Sequence, residues 1–135
     1  MNAGIRELVQ KRLRQAREAL GEARAIHEEG MDIGFVLTSL FFAFYYPVIA
    51  LVCQGRVPES MQRVTIGLFE QQYVDTGIMP QRFSDGLRRI VDLNPECSGG
   101  RMPVSNSEVE HLLLMAEDFI STVGQYLAKS ALAQS

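Results

Sequence analysis

The chain has 135 residues, 13 basic and 16 acidic side chains, two histidines and two cysteines. That is the size of one domain, large enough to bury about two-thirds of its unfolded surface without staples. Cys53 lies in an apolar segment and Cys97 in a polar one, which excludes a disulfide framework and points to free thiols in a reducing cytoplasm. The first 24 residues carry charges throughout, with none of the apolar stretch that secretion requires, so a cytoplasmic protein is expected. Six basic and three acidic residues fall in 1–24, against seven and thirteen in 25–135, so the first segment is a candidate basic patch.

Ile5, Leu8, Val9, Leu13, Ala16, Leu20, Ala23 and Ile26 recur every three or four residues and predict a helix to Glu28. Gly30 ends it, because glycine takes the left-handed conformation after a last turn without a Cβ clash. Its basic residues, Arg6, Lys11, Arg12, Arg14, Arg17 and Arg24, could meet phosphates of RNA or DNA. Against this, Glu7 precedes Lys11 by four residues and Arg14 precedes Glu18 by four, the spacing of local pairs on a solvated face. No aromatic side chains interleave with these cations, as stacking on single strands would need.

Ile33–Gly55 contains no charge and is long enough to cross a membrane. The segments on both sides are amphipathic, however, and their apolar stripes need a common partner. A helix apolar all round supplies one, so the central helix of a bundle, with no membrane, is the expectation. Thr38, Ser39, Tyr45 and Tyr46 place polar groups within the run. Pro47 removes one backbone hydrogen bond and should bend the helix, freeing the carbonyl of Ala43. Tyr45 and Tyr46 point about 100° apart, so at most one is simple core and the other reaches a polar partner.

After a break at Gly55–Pro58, Val64, Ile66, Leu68, Phe69 and Tyr73 form a third stripe ending at Thr76-Gly77. Phe83, Leu87, Ile90, Val91 and Leu93 form a short fourth. Asn94–Val104 is the longest loop, with two prolines and two glycines. Ser105 with Glu108, or Ser107 with Glu110, has capping-box spacing before a last helix expected to run to about Lys129. Its apolar face is Val109, Leu112, Leu113, Ala116, Phe119, Ile120, Val123, Tyr126 and Leu127. The expected fold class is therefore all-α, an up-and-down antiparallel bundle of about five helices in one domain spanning 1–135.

Chemistry is less legible. His27 and His111 have no companions at metal-ligand spacing, so neither a metal nor another cofactor is expected. No local signature holds a serine or cysteine against a base, and Gly99-Gly100 follows no strand that would make it a phosphate loop. Cys97 beside these glycines reads as an incidental exposed thiol before a reactive one.

Ser39-Leu40-Phe41-Phe42-Ala43-Phe44-Tyr45-Tyr46, then Ala50-Leu51-Val52 and Gly55, then Leu68-Phe69, Tyr73-Val74 and Thr76-Gly77 resemble the HEPN family of small prokaryotic helical-bundle proteins, over roughly residues 5–127. The resemblance implies a four- to five-helix up-and-down bundle and a homodimer. Many such proteins are toxin ribonucleases or partners of small nucleotidyltransferases. In catalytic members an arginine, followed after four to six residues by histidine, lies near the end of the fourth helix, and two copies face each other across the dimer. Here Asn94 stands at the arginine position and no histidine follows through Arg101, while Arg88 and Arg89 have none behind them before His111. The second helix carries Phe41, Phe42 and Ser39 where related proteins often have a tyrosine pair and a polar or basic residue.

The resemblance thus implies a bundle without the ribonuclease motif. It would be a non-catalytic dimerisation or partner-binding module, such as an accessory or antitoxin-like component of a toxin–antitoxin or nucleotidyltransferase-linked system. The implied interface lies around Phe41, Tyr45 and the loop after the fourth helix. The alternative is an RNA- or nucleotide-binding protein, a ribonuclease using the atypical loop residues Asn94, Glu96, Ser98 and Arg101.

Overall fold

In a computed structural model the described residues are 3–52, 62–93 and 104–133, and they form five helices with no strand among them. Helix α1 spans Ala3–Glu28, and its buried positions Val9, Leu13, Ala16, Ala19, Leu20 and Ala23 follow the expected stripe. Gly30 has φ of 71°. Its amide donates to His27 O at 3.1 Å and that of Met31 donates to Ile26 O at 3.2 Å, the paired bonds of a glycine-terminated helix.

Helix α2 spans Ile33–Val52 and begins where the Asp32 carboxylate accepts the Gly34 amide at 3.0 Å. It touches α1 and all three later helices, so it lies at the centre of the bundle. α2 is the one described helix long and apolar enough to cross a membrane, yet 61% of its apolar window is buried inside the bundle. The helix continues through Pro47, which is buried. At its end the Tyr73 hydroxyl donates to Leu51 O at 2.9 Å, supplying a partner to one of the terminal carbonyls that a helix cannot satisfy itself.

Helix α3, Gln62–Phe69, passes into a π-helical turn at Glu70–Val74, closed by the Asp75 amide on Glu70 O at 2.8 Å. The wide turn separates the buried residues Phe69 and Val74 by five positions, so Tyr73, which continues the regular stripe, is only half-buried. Gly77, with φ of 82°, ends this segment. Helix α4 spans Gln81–Leu93 and buries Phe83, Ser84, Gly86, Leu87, Ile90 and Leu93. A Cβ at Gly86 would overlap the Met115 sulfur and stand 3.4 Å from the Phe44 ring, so glycine is what lets α4 seat this closely.

Helix α5 spans Asn106–Ala133, four residues beyond the expected end, because Ser130-Ala131-Leu132-Ala133 contains no helix breaker. Ser105 Oγ accepts the Glu108 amide at 3.1 Å. This is one half of a capping box, for the Glu108 carboxylate is engaged by Arg89 instead. Arg24 with Glu117 and His27 beside Glu110, and Arg82 with Asp118 alongside Arg89 with Glu108, show that α5 runs antiparallel to both α1 and α4. Phe119 is the hub of the core. Its ring centroid lies 5.7 Å from Phe44, 5.6 Å from Phe69 and 4.8 Å from Phe83, which joins α2, α3, α4 and α5 through one aromatic cluster.

Candidate functional site: the open face of the second helix

A helix apolar all round buries all of its surface only when neighbours surround it. On α2 one stripe is left over. Phe35, Ser39, Phe42 and Tyr46 are spaced four, three and four residues apart and share one face. Phe35 is 58% exposed and Phe42 36%, with Met31 at 51% just before the helix. Ser39 and Tyr46 are half-buried. Rings meet along the stripe, Phe42 with Tyr46 at 5.7 Å and Phe41 edge-on to Phe42 at 5.4 Å.

Beside it α1 forms the other wall of a groove. Gln15, Glu18 and Glu22 face Ser39, Phe42 and Tyr46 around one recess of about 170 Å³. A second recess of about 360 Å³ shares Phe42 and Tyr46 and continues past Arg12, Tyr45, Ile49 and Gln62. Arg12 is held by Gln15, its Nη1 donating to Oε1 at 2.8 Å. Carboxylates and a guanidinium therefore rim an aromatic floor.

Of the two residues expected at an interface, Tyr45 is only 3% exposed and Phe41 is half-buried, their rings stacked at 5.3 Å. The exposed aromatic surface belongs to their neighbours Phe42 and Phe35. The tyrosine pair divides as helix geometry requires, with Tyr45 in the core and Tyr46 on the groove. Asn94, Glu96, Ser98 and Arg101 lie outside the described residues, as do the break at Gly55–Pro58 and both cysteines.

The opposite side of the bundle is electrostatically closed. Arg88 forks onto Glu70, with Nε 3.0 Å from Oε2 and Nη2 on Oε1, and the buried Ser84 hydroxyl donates to the same carboxylate. The Arg88 hydrogen bond holds the Glu70 carboxyl below the usual carboxylate range, against burial and with help from Ser84. Arg89 forks onto Glu108 at 2.9 Å through both Nε and Nη2, which likewise lowers the Glu108 carboxyl. Arg82 meets Asp118 at 2.6 Å while its guanidinium lies 4.5 Å from the Phe83 ring centroid. All three arginines of α4 are thus matched. Burial, with a smaller contribution from Tyr126, pushes the Tyr73 phenol up and keeps it protonated as the donor to Leu51.

On α1, neither Glu7–Lys11 nor Arg14–Glu18 closes to an ion pair among the described residues. The cross-helix pair Arg24–Glu117, at 2.8 Å, forms instead. His27 Nε2 stands 4.0 Å from Glu110, and no group of three or more metal-ligating side chains converges among the described residues. The 4-3-4 spacing of the α2 stripe is present in the sequence but is submerged in a segment where every position is uncharged. The Glu70–Ser84–Arg88 cluster leaves no sequence signal, since its members are 14 and 18 residues apart across a turn. No protein-family model, curated protein or solved structure matches the chain.

Proposed function

We propose that this chain is a non-catalytic, cytoplasmic interaction module whose α1–α2 face binds protein. The observation that carries the reading is the exposure of Phe35 and Phe42, with Met31 before them and half-buried Tyr46 beside them, on a bundle whose phenylalanines Phe44, Phe69 and Phe83 pack around Phe119. Exposed aromatic side chains rimmed by polar groups are the surface that buries favourably against another protein. The resemblance to HEPN bundles makes an accessory or antitoxin-like component the fitting role, in a toxin–antitoxin or nucleotidyltransferase-linked pair.

The lack of catalysis is supported by Arg88 and Arg89. These are the arginines nearest the family's motif position, and each is forked onto a carboxylate, which leaves little of its charge for a phosphate. Purified protein is expected to leave RNA intact, and cleavage abolished by altering one of its own residues would overturn this part.

The binding face is tested by placing the photo-crosslinker benzoylphenylalanine at Phe35 in cells. A discrete covalent adduct with a polypeptide is expected. Chain recovered only as its uncrosslinked self, beside a reactive control position, would sink the reading.

A further inference from the structure

A recess of about 360 Å³ lies where α1 meets α5, on the flank of α1 away from the α2 stripe. Its α1 wall is Arg17, Leu20, Gly21 and Arg24, and its α5 wall is Glu117, Ile120 and Ser121. We infer that this recess binds a small organic monocarboxylate, with the carboxylate on the Arg17 guanidinium and the hydrocarbon body over Leu20 and Ile120.

The recess owes its room to a glycine between two arginines. Arg17, Gly21 and Arg24 are spaced four and three residues apart, so they share one face of α1. The arginines stand two turns apart, about 10 Å along the axis. Mid-helix glycine is less favourable than any residue but proline. Gly21 is not among the glycines with positive φ, and a Cβ there would meet nothing within 4 Å. Neither backbone conformation nor close packing therefore calls for glycine at this position. What its missing side chain leaves is open space between two guanidinium groups.

The charges of that space are unevenly matched. Arg24 Nη2 donates to Glu117 Oε2 at 2.8 Å, whereas Arg17 has no hydrogen bond or ion pair among the described residues. Arg17 Nη2 lies 3.7 Å from where a Cβ on Gly124 would stand, so this guanidinium reaches across to α5, one turn from Ser121. Arg88 and Arg89 each fork onto a carboxylate of their own chain, and Arg17 presents the same fork without one.

Two guanidinium groups and one carboxylate leave a net charge of one on the walls, which a single negative charge balances. A planar carboxylate takes two parallel bonds from the Arg17 fork, and the Ser121 hydroxyl is a further donor on the facing wall. A doubly charged phosphate would turn its surplus charge towards Glu117. Leu20 and Ile120, 5% and 3% exposed, give the rest of the ligand an apolar floor. The volume falls at the small end of small-molecule sites, which sets the ligand's size.

The test titrates the purified chain with phenylacetate and follows its backbone amide chemical shifts. Saturable shifts centred on Gly21 and Ser121 are expected, with a dissociation constant of about a millimolar or tighter. Phenylacetamide, of the same shape without the charge, should bind at least about tenfold more weakly. Arg17→Gln and Gly21→Leu should each weaken phenylacetate by about tenfold or more with helical content unchanged by circular dichroism. Arg6→Gln removes the same charge from an exposed position of α1 outside the recess and should leave the affinity within about twofold.

The absence of saturable shifts at Gly21 and Ser121 overturns the inference, as does equal binding of the amide. So does undiminished affinity in folded Arg17→Gln or Gly21→Leu, or a loss in Arg6→Gln as large as that in Arg17→Gln. Inorganic phosphate bound more tightly than phenylacetate at the same amides overturns the assignment to a singly charged carboxylate. The comparison of carboxylate, amide and phosphate needs no variant, so it decides the matter even where a substitution prevents folding. Because the recess lies apart from Phe35 and Phe42, its failure leaves the protein-binding reading of the α2 face untouched.

Discussion

The two long flanks of this bundle solve the same problem in opposite ways. Around α4, each arginine has a carboxylate from a neighbouring element, Glu70 of the π-helical turn or Glu108 and Asp118 of α5, and even the buried hydroxyl of Ser84 is taken up. Along α2, Phe35 and Phe42 have no such cover. A helix whose polar groups are matched internally has little to offer a partner, whereas uncovered rings retain a favourable transfer out of water, about 25 cal/mol per Å² of apolar surface. The difference separates a flank that holds the fold from one available for association.

The largest expected effect lies on the closed flank. Glu70→Ala removes the acceptor of a buried hydroxyl and half of an ion pair at once, and should cost about 1–3 kcal/mol by urea denaturation. An unchanged urea midpoint would mean that the α4 flank does not hold the fold as the comparison requires.

Acid should attack the same flank. The carboxyls of Glu70 and Glu108 are both lowered in the fold by their arginines, so their contribution is complete above the ordinary carboxylate pKa and is lost as pH falls through the lowered folded values. Thermal midpoints should therefore fall more steeply on acidification in the parent than in Glu70→Gln. Equal slopes would break the assignment of acid sensitivity to this flank.

An exposed position of α1 beside α5 should be forgiving. Gly21 lies inside α1, and a Cβ there would meet nothing within 4 Å. Gly21→Ala should accordingly stabilise the fold by about 0.4–1 kcal/mol, through the lower entropy of its unfolded chain. The smallest effect on folding is expected on the exposed stripe of α2. Phe35→Ser should change monomer stability by about 0.5 kcal/mol or less at high dilution, since a largely exposed ring gains little from folding. A loss as large as that of Glu70→Ala would show Phe35 to be part of the core and erase the contrast between the flanks.

Residues read as helix stripes became helix stripes, except Val64 of the third, which is 51% exposed while Thr65 beside it is buried. All nine positions expected on the inner face of α5 are buried except Tyr126, which is half-buried. Gly30 and Gly77 stop their helices with positive φ because no side chain opposes that geometry. Ser105 rather than Ser107 caps α5, a choice two equally spaced serine–glutamate pairs left open. The π-helical turn at Glu70–Val74 was not legible, since Glu-Gln-Gln-Tyr-Val continues an ordinary stripe. In the fold its Tyr73 reaches Leu51 of α2 and its Glu70 reaches Ser84 and Arg88 of α4.

The expected site was legible only in its neighbourhood. Its place on the second helix was read from Phe41 and Tyr45, but an apolar sequence does not announce which side its neighbours will cover. Stacking Phe41 on a buried Tyr45 turned that pair inward and left Phe35, Ser39, Phe42 and Tyr46 outside.

By itself, then, the sequence determined the helices, the stops at Gly30 and Gly77 and the central role of α2, because periodicity, glycine termination and burial of a charge-free segment are local or one-dimensional properties. Which arginines pair across helices, where the hydroxyl of Ser84 is satisfied and which face of α2 stays open were decided by the tertiary structure. Those outcomes depend on which side chains, distant in the chain, share a small volume, and no spacing along the chain encodes that.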